Sequence, residues 1–297
     1  MFTNFNIDEV KLTDKYFAIR RELIKKYIVE FDMNRLMHTF KINAGTPSNA
    51  EPLGGWEGVE CGLRGHFVGH FLSACSKFAF ADKDEILKIK ANEIVDIMEL
   101  CAKPNGYLSA FEEEKLDKIM QGLVDCHIYL SSQKSLTLAV NLAYYIHRRF
   151  EKLSLRKIDG ILRCTQVNPV NEFGGIGDSL YTLYDITDDA KIFELANIFD
   201  REYFIDNLEA GKDVLENLHA NTHLPMIIAA MHRFNISGEE KYKTAAVNFY
   251  HYLLGEYVSE IEPVLIFQSH DVNRIEPPLF SSSKLNFSDK QYGLKPA

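Results

Sequence analysis

Apolar residues recur at three- and four-residue steps through most of this chain, a period that predicts helices. Ile86, Ile89, Ile94, Ile97 and Met98 read as one stripe, and Leu195, Ile198 and Phe199 as another. Strand-like alternation is scarce. Four segments share one grammar of apolar helix, short polar turn and second helix: Lys77–Met98, His127–Ile146, Leu183–Phe204 and Arg233–Leu254. Aligning their turns puts Ala81, Ser131, Thr187 and Ser237 in equivalent places, roughly fifty residues apart. Ser131, Thr187 and Ser237 read as N-caps of the second helices. Hairpins at such a period cannot bury their apolar faces singly, so they wind into a solenoid or close into a ring. From about Val258 the pattern fails. Pro263, Pro277, Pro278, Pro296 and the run Ser281-Ser282-Ser283 break any helical stripe. The expected organisation is a helical domain over residues 1–257 and an irregular tail over 258–297.

Composition narrows the partners. The chain has 297 residues, 46% of them hydrophobic, with Lys+Arg 33 against Asp+Glu 42. A net charge of -9 argues against nucleic acid and against an anionic membrane surface. No apolar run approaches the ~18 residues of a membrane span. Residues 1–20 lack a basic stretch followed by an apolar one, so no signal peptide is read and a cytoplasmic location is expected. The cysteines, Cys61, Cys75, Cys101, Cys126 and Cys164, form no C-x-x-C, and buried thiols in a reducing compartment are the simplest account.

The chemistry-bearing groups gather before one apolar helix. Leu63–Ala74 reads L-R-G-H-F-V-G-H-F-L-S-A, and His66 and His70 share a helix face one turn apart. Three readings stay open: a metal pair, core histidines bonded to backbone, or the polar wall of a pocket. Phe, Val and Gly fill the gap where H-E-x-x-H would carry its glutamate. Gly65 and Gly69 are also four apart; glycine inside a helix costs roughly 1 kcal/mol against alanine, so a close helix–helix approach is implied. Just upstream, Gly54–Gly58 carries the only Trp, Trp56, beside Glu57. An aromatic face for stacking next to polar groups suits a sugar, with a core Trp and a capping Glu as the plain alternatives. The links between repeats hold further polar motifs at Pro104–Ala110, Asn171–Asp178 and Leu218–Pro225.

Those links carry a resemblance. The chain resembles the N-terminal half of the β-L-arabinofuranosidase group of glycoside hydrolases (family 127-like, formerly a domain of unknown function). The matching pieces are N-A-G at Asn43–Gly45, P-L-G-G-W-E at Pro52–Glu57 and the Leu63–Ala74 segment. G-Y-L-S-A-F at Gly106–Phe111, E-F-G-G at Glu172–Gly175 and H-A-N-T-x-L-P at His219–Pro225 complete the set, in family order. The resemblance implies an (α/α)6 barrel, here incomplete, so the expected fold class is all-α with antiparallel helical hairpins. It also implies that His219 touches a sugar hydroxyl; a helix-cap His held by Asn221 is the alternative. Family members carry zinc on thiolates, one of which is the nucleophile. Their acid/base Glu, E-x-C and C-C segments have no match here, and Glu99-Leu100-Cys101 sits in the wrong repeat. A Y-Y-T-x-H-K stretch before Lys118 is also absent.

The expected substrate-binding set is therefore Trp56, Glu57, His66, His70, Glu172, His219 and Asn221, converging on one end of the barrel. No catalytic residue is assigned, and no cofactor is expected in this chain. Two functions follow. One is hydrolysis of terminal arabinofuranosides in plant-type glycans once a C-terminal half completes the chain. The other is a catalytically dead carbohydrate-binding or degenerate α/α-barrel protein. The partners expected are an arabinose-containing glycan, with a C-terminal half or self-association covering apolar faces left open.

Overall fold

A computed structural model describes residues 5–111, 119–162 and 172–254. The acidic run at 112–114, Cys164 and the tail at 258–297 lie outside them. The described residues are all-α, with thirteen helices and no strand among them. They divide into two compact units: Met1–Leu153 with Thr182–Leu195, and Ser154–Tyr181 with Ala196–Ala297.

The first unit contains α1 (Lys15–Glu30), α2 (Met33–Leu36), α3 (His38–Asn43), a 3-10 turn at Gly55–Glu57, α4 (His66–Asp82), α5 (Glu85–Cys101), α6 (Ile119–Leu130) and α7 (Gln133–Phe150). The second contains α8 (Leu155–Ile161), α11 (Glu202–Glu209), α12 (Ala220–Ser237) and α13 (Glu240–Tyr252). Between these in sequence, α9 (Ile176–Thr187) and α10 (Ala190–Ile198) contribute residues to both.

The four expected hairpins are α4–α5, α6–α7, α9–α10 and α12–α13. Each turns on one residue in the left-handed region: Lys83 (φ 54), Ser131 (φ 56), Asp188 (φ 53) and Gly238 (φ 71). The turns therefore fall where the repeat placed them, but the caps do not. Ser131 is the left-handed residue, and Ser132 beside it caps α7 by accepting from the Ser135 amide. Asp189, not Thr187, accepts from the Lys191 amide at the head of α10. Ser237 ends α12, and its hydroxyl accepts from the Glu239 amide at 3.2 Å. The α5 cap is Asp84, which accepts from the Ile86 and Leu87 amides.

Within the first unit, α4 and α6 pack closest. Gly69 faces Gly122, the close approach expected of it, whereas Gly65 lies before the helix; a Cβ on Gly122 would lie 2.5 Å from the Gly69 carbonyl oxygen. Around them Val68, Leu72 and Cys75 on α4, with Leu123, Val124 and Cys126 on α6, are fully buried. Burying one Leu or Val contributes about 1.5–3 kcal/mol. One turn along, the buried carboxylate of Asp125 on α6 accepts from Ser73, from the Lys77 ammonium at 3.0 Å and from the Gln121 amide at 3.0 Å. A buried anion persists only when so partnered.

The α5 stripe was misread. Its buried face is Leu87, Ala91, Ile94, Val95 and Met98, while Ile86 and Ile89 are 64% and 56% exposed. In the second stripe, Leu195 and Phe199 are buried as expected.

Candidate functional site

The predicted residues form two groups. Trp56, Glu57, His66 and His70 belong to the first unit, and Glu172, His219 and Asn221 to the second.

In the first group the loop before α4 is drawn together by two side chains. Gly65 stands at φ +90, a left-handed conformation that favours glycine and sets the chain into the helix. There Glu57 is buried, and both its oxygens are taken: Oε2 accepts from the Gly65 amide at 2.7 Å and Oε1 from the Phe67 amide at 2.8 Å. It is the capping acid of α4, placed where the helix dipole favours a negative charge. Burial nonetheless raises its carboxyl above the ordinary glutamate range, against the two amides and the nearby Arg64. Arg64 donates to the carbonyls of Val59 (2.8 Å) and Ala110 (3.0 Å), and its guanidinium lies 4.2 Å from the centroid of the Phe111 ring. Asn43 donates to the Ser109 carbonyl at 2.9 Å. Three motifs distant in sequence thus brace one another. Trp56 is 60% exposed, which excludes the core reading and leaves its face open for stacking. His66 is the half-buried first residue of α4, and His70 is exposed one turn later.

In the second group Glu172 is the hub. Its Oε1 lies 3.2 Å from His219 Nε2, and its Oε2 accepts from the Asn221 side chain at 3.3 Å. His219 sits at the N-cap of α12 but makes no side-chain cap bond, so the helix-cap reading does not hold. All three side chains are partly buried and polar, a set able to donate to and accept from hydroxyl groups. The cluster is seated by Gly174, whose position admits no Cβ: one would lie 1.7 Å from the Thr222 carbonyl oxygen. Behind it, buried His223 is fixed on both nitrogens, by the His219 carbonyl at 2.8 Å and the Tyr203 hydroxyl at 2.9 Å. Asp178 pairs instead with His232 at 3.0 Å.

Sequence reasoning missed Asp200. Burial pushes its carboxyl up to about 6, even though Tyr181 donates to it at 2.6 Å and Arg233 lies near. An isolated Asp at a helix end gives no sequence signal, because its partners come from α9, α12 and α13.

Among the described residues no three His, Cys, Asp or Glu side chains gather closely enough to hold a metal ion. Cys75, Cys101 and Cys126 are buried, and burial pushes the Cys75 thiol up to about 12 and the Cys101 thiol up to about 11. Zinc needs about four ligands that bind in deprotonated form, so the described donors do not fit it.

Against known families, residues 9–257 match the GH127 catalytic domain of β-L-arabinofuranosidases. The chain belongs to this family. Two solved structures share the GH127 fold. One is Ara127N-Se, a GH127 β-L-arabinofuranosidase from Geobacillus stearothermophilus T6, with TM-score 0.56 and 17% identity over 82% of this chain and 45% of that one. The other is the GH127 β-arabinofuranosidase BT3674, with TM-score 0.56 and 14% identity over 84% of this chain and 43% of that one. The chain thus spans less than half the length of these relatives. No curated protein matches it. In this GH127 domain the matching motifs precede or open the first helix of each hairpin: α4, α6, α9 and α12.

Proposed function

We propose that this chain is a GH127-type sugar-binding domain that holds an arabinofuranose through Glu172, His219 and Asn221. The observation that carries the reading is the Glu172 carboxylate, held from two sides by a histidine and an amide that begin the same helix. Carboxylate, imidazole and amide together offer donors and acceptors in the alternation a polyhydroxylated ring needs. In this reading the ligand is the terminal arabinofuranoside of a plant-type glycan.

Hydrolysis asks for more. A glycosidase of the usual kind places one carboxyl as acid and a second group as nucleophile or base across the anomeric carbon. Glu57, the best first-unit candidate, has both oxygens committed to backbone amides. Glu172 is the carboxylate of the expected set that stands beside an imidazole. Binding without turnover is therefore the expected behaviour of the chain by itself, and cleavage of arabinofuranosides requires groups beyond the described residues.

Calorimetric titration with methyl β-L-arabinofuranoside tests this. Binding by the full chain, weakened roughly tenfold or more by His219→Ala and by Glu172→Gln, is expected. Absence of binding, or binding indifferent to both substitutions, overturns it. Release of arabinose from an aryl β-L-arabinofuranoside, abolished by Glu172→Gln or Glu57→Gln, would replace the binding reading with a catalytic one.

A further inference from the structure

The link between α5 and α6 builds a separate cleft in the first unit. It opens between the turn at Lys103–Gly106 and one face of α7, with a volume of about 500 Å³. Ligand clefts commonly measure about 300–1,000 Å³. The turn is fixed before any ligand arrives. The Gly106 amide donates to the Lys103 carbonyl at 2.9 Å, the Lys103 amide to the Tyr107 carbonyl at 2.9 Å, and the Tyr107 amide to the Asn105 side chain at 3.0 Å. Pro104 restricts the backbone within it. Gly106 stands at φ +90 and lies against the Asn141 carbonyl of α7, where a Cβ would collide. Two turns along the helix, Arg148 donates back to the Asn105 carbonyl. Both walls are thus held in place, which lowers the ordering cost of binding.

The lining sorts by depth. Leu108 and Leu138 are buried and apolar, whereas Asn105, Asn141 and Arg148 are exposed and Lys103 is half-buried. An apolar floor under amides and cations suits a sugar ring, which has a C–H side and several hydroxyl groups. Charge narrows the class. The charged lining residues are Lys103 and Arg148, both cations, and neither pairs with a carboxylate among the described residues. Arg148 spends one donor on Asn105 and has five. The neighbouring acids are engaged. Glu99 pairs with Lys134 at 2.9 Å, Asp189 accepts from the Tyr144 hydroxyl at the cleft wall, and Glu151 and Glu194 flank His147. Lys191 brings a further cation, 5.7 Å from the Tyr144 ring. The C-terminal ends of α5 and α7 also favour cations. A cation that serves only a helix end raises stability and binds nothing.

We propose that this cleft binds an acidic sugar: a hydroxylated ring whose carboxylate meets Lys103 and Arg148 and whose hydroxyls meet Asn105 and Asn141. A free uronate and a uronate residue of a larger glycan present the same chemistry. The site is independent of the Glu172 cluster, which lies in the second unit.

Calorimetric titration of the full chain with sodium galacturonate tests it. Millimolar binding is expected, and none comparable for galactose, the same ring with a hydroxymethyl group in place of the carboxylate. A galacturonate trimer that binds more tightly assigns the ligand to a glycan; one that binds no better assigns it to the free sugar. Arg148→Gln and Lys103→Gln each weaken galacturonate roughly tenfold, at unchanged helical content by circular dichroism. Arg149→Gln, the loss of an adjacent exposed cation outside the lining, leaves it unchanged. None of the three alters the binding of methyl β-L-arabinofuranoside. Absence of galacturonate binding at millimolar concentration overturns the proposal. Equal binding of galactose or of inorganic phosphate overturns it too, as does galacturonate binding indifferent to both cleft substitutions or equally weakened by Arg149→Gln.

Discussion

Gly122 approaches Gly69 so closely that the backbone of α4 occupies the place of any side chain on α6 at that point. Alanine normally favours a helix over glycine by about 1 kcal/mol. Here the methyl would push two backbones apart, and overpacking of that kind costs about 1–3 kcal/mol or more. Gly122→Ala is expected to lower the thermal midpoint, and a raised midpoint would show that α4 and α6 sit farther apart.

Gly174 poses the sharper case, since its missing Cβ falls on the Thr222 carbonyl. Gly174→Ala must displace the strand of chain that carries Glu172 from the start of α12. Loss of sugar binding together with a lowered midpoint is expected. Unchanged binding would mean that Glu172 needs no such seat.

His219 separates recognition from architecture. Its side chain caps nothing and pairs only with a partly buried acid. His219→Ala should therefore shift unfolding free energy by only about 1 kcal/mol, the cost of one partly buried polar contact. Binding of arabinofuranoside should fall far more. A mutant that unfolds readily and binds normally contradicts the assignment.

Glu57→Gln is expected to do the reverse. Glutamine has one acceptor oxygen for two amides, and its NH2 would confront the other N–H. Loss of such a cap costs about 1–2 kcal/mol. Chemical denaturation reads this directly, and sugar affinity at the second-unit cluster should be untouched.

Asp200 gives a pH signature. Its carboxyl is raised from 3.8 to about 6 in the folded chain, so the folded state holds the proton more tightly than the unfolded one. Its contribution to stability is present below pH ~4 and is lost as pH rises through about 6. Asp200→Asn keeps an acceptor for Tyr181 and removes the titration. Relative to wild type, the variant should gain stability between those pH values, and a flat difference across the range would contradict this.

The hairpins were legible because a 3.6-residue period survives any detail of packing, as the buried Ile94, Met98, Leu195 and Phe199 show. Their caps were not, because the residue that takes the left-handed conformation is lysine, serine or aspartate in three of four turns. Nothing local marks Lys83 for that role. The α5 stripe failed for a related reason: Ile86 and Ile89 satisfy the same spacing as the buried face, rotated by about 100° per residue. Glu172, His219 and Asn221 were found through the motifs that hold them, and they meet. Asp125 and Asp200 were missed, because a buried acid is defined by partners on other helices.

Asp125 also has a mechanical consequence. The glycine contact sets the height of α6 on α4, because a shift of one turn, about 5.4 Å, would bring the Cβ of Ile119 or Cys126 to the place on Gly69 where none fits. The carboxylate one turn on is a detent: only one setting brings it to Ser73 and Lys77 together. Arg64, just before α4, reaches the carbonyl of Ala110 in the segment leading to α6, and that reach survives only in this setting. The height of the two loops is thus decided far below them, inside the helix pair.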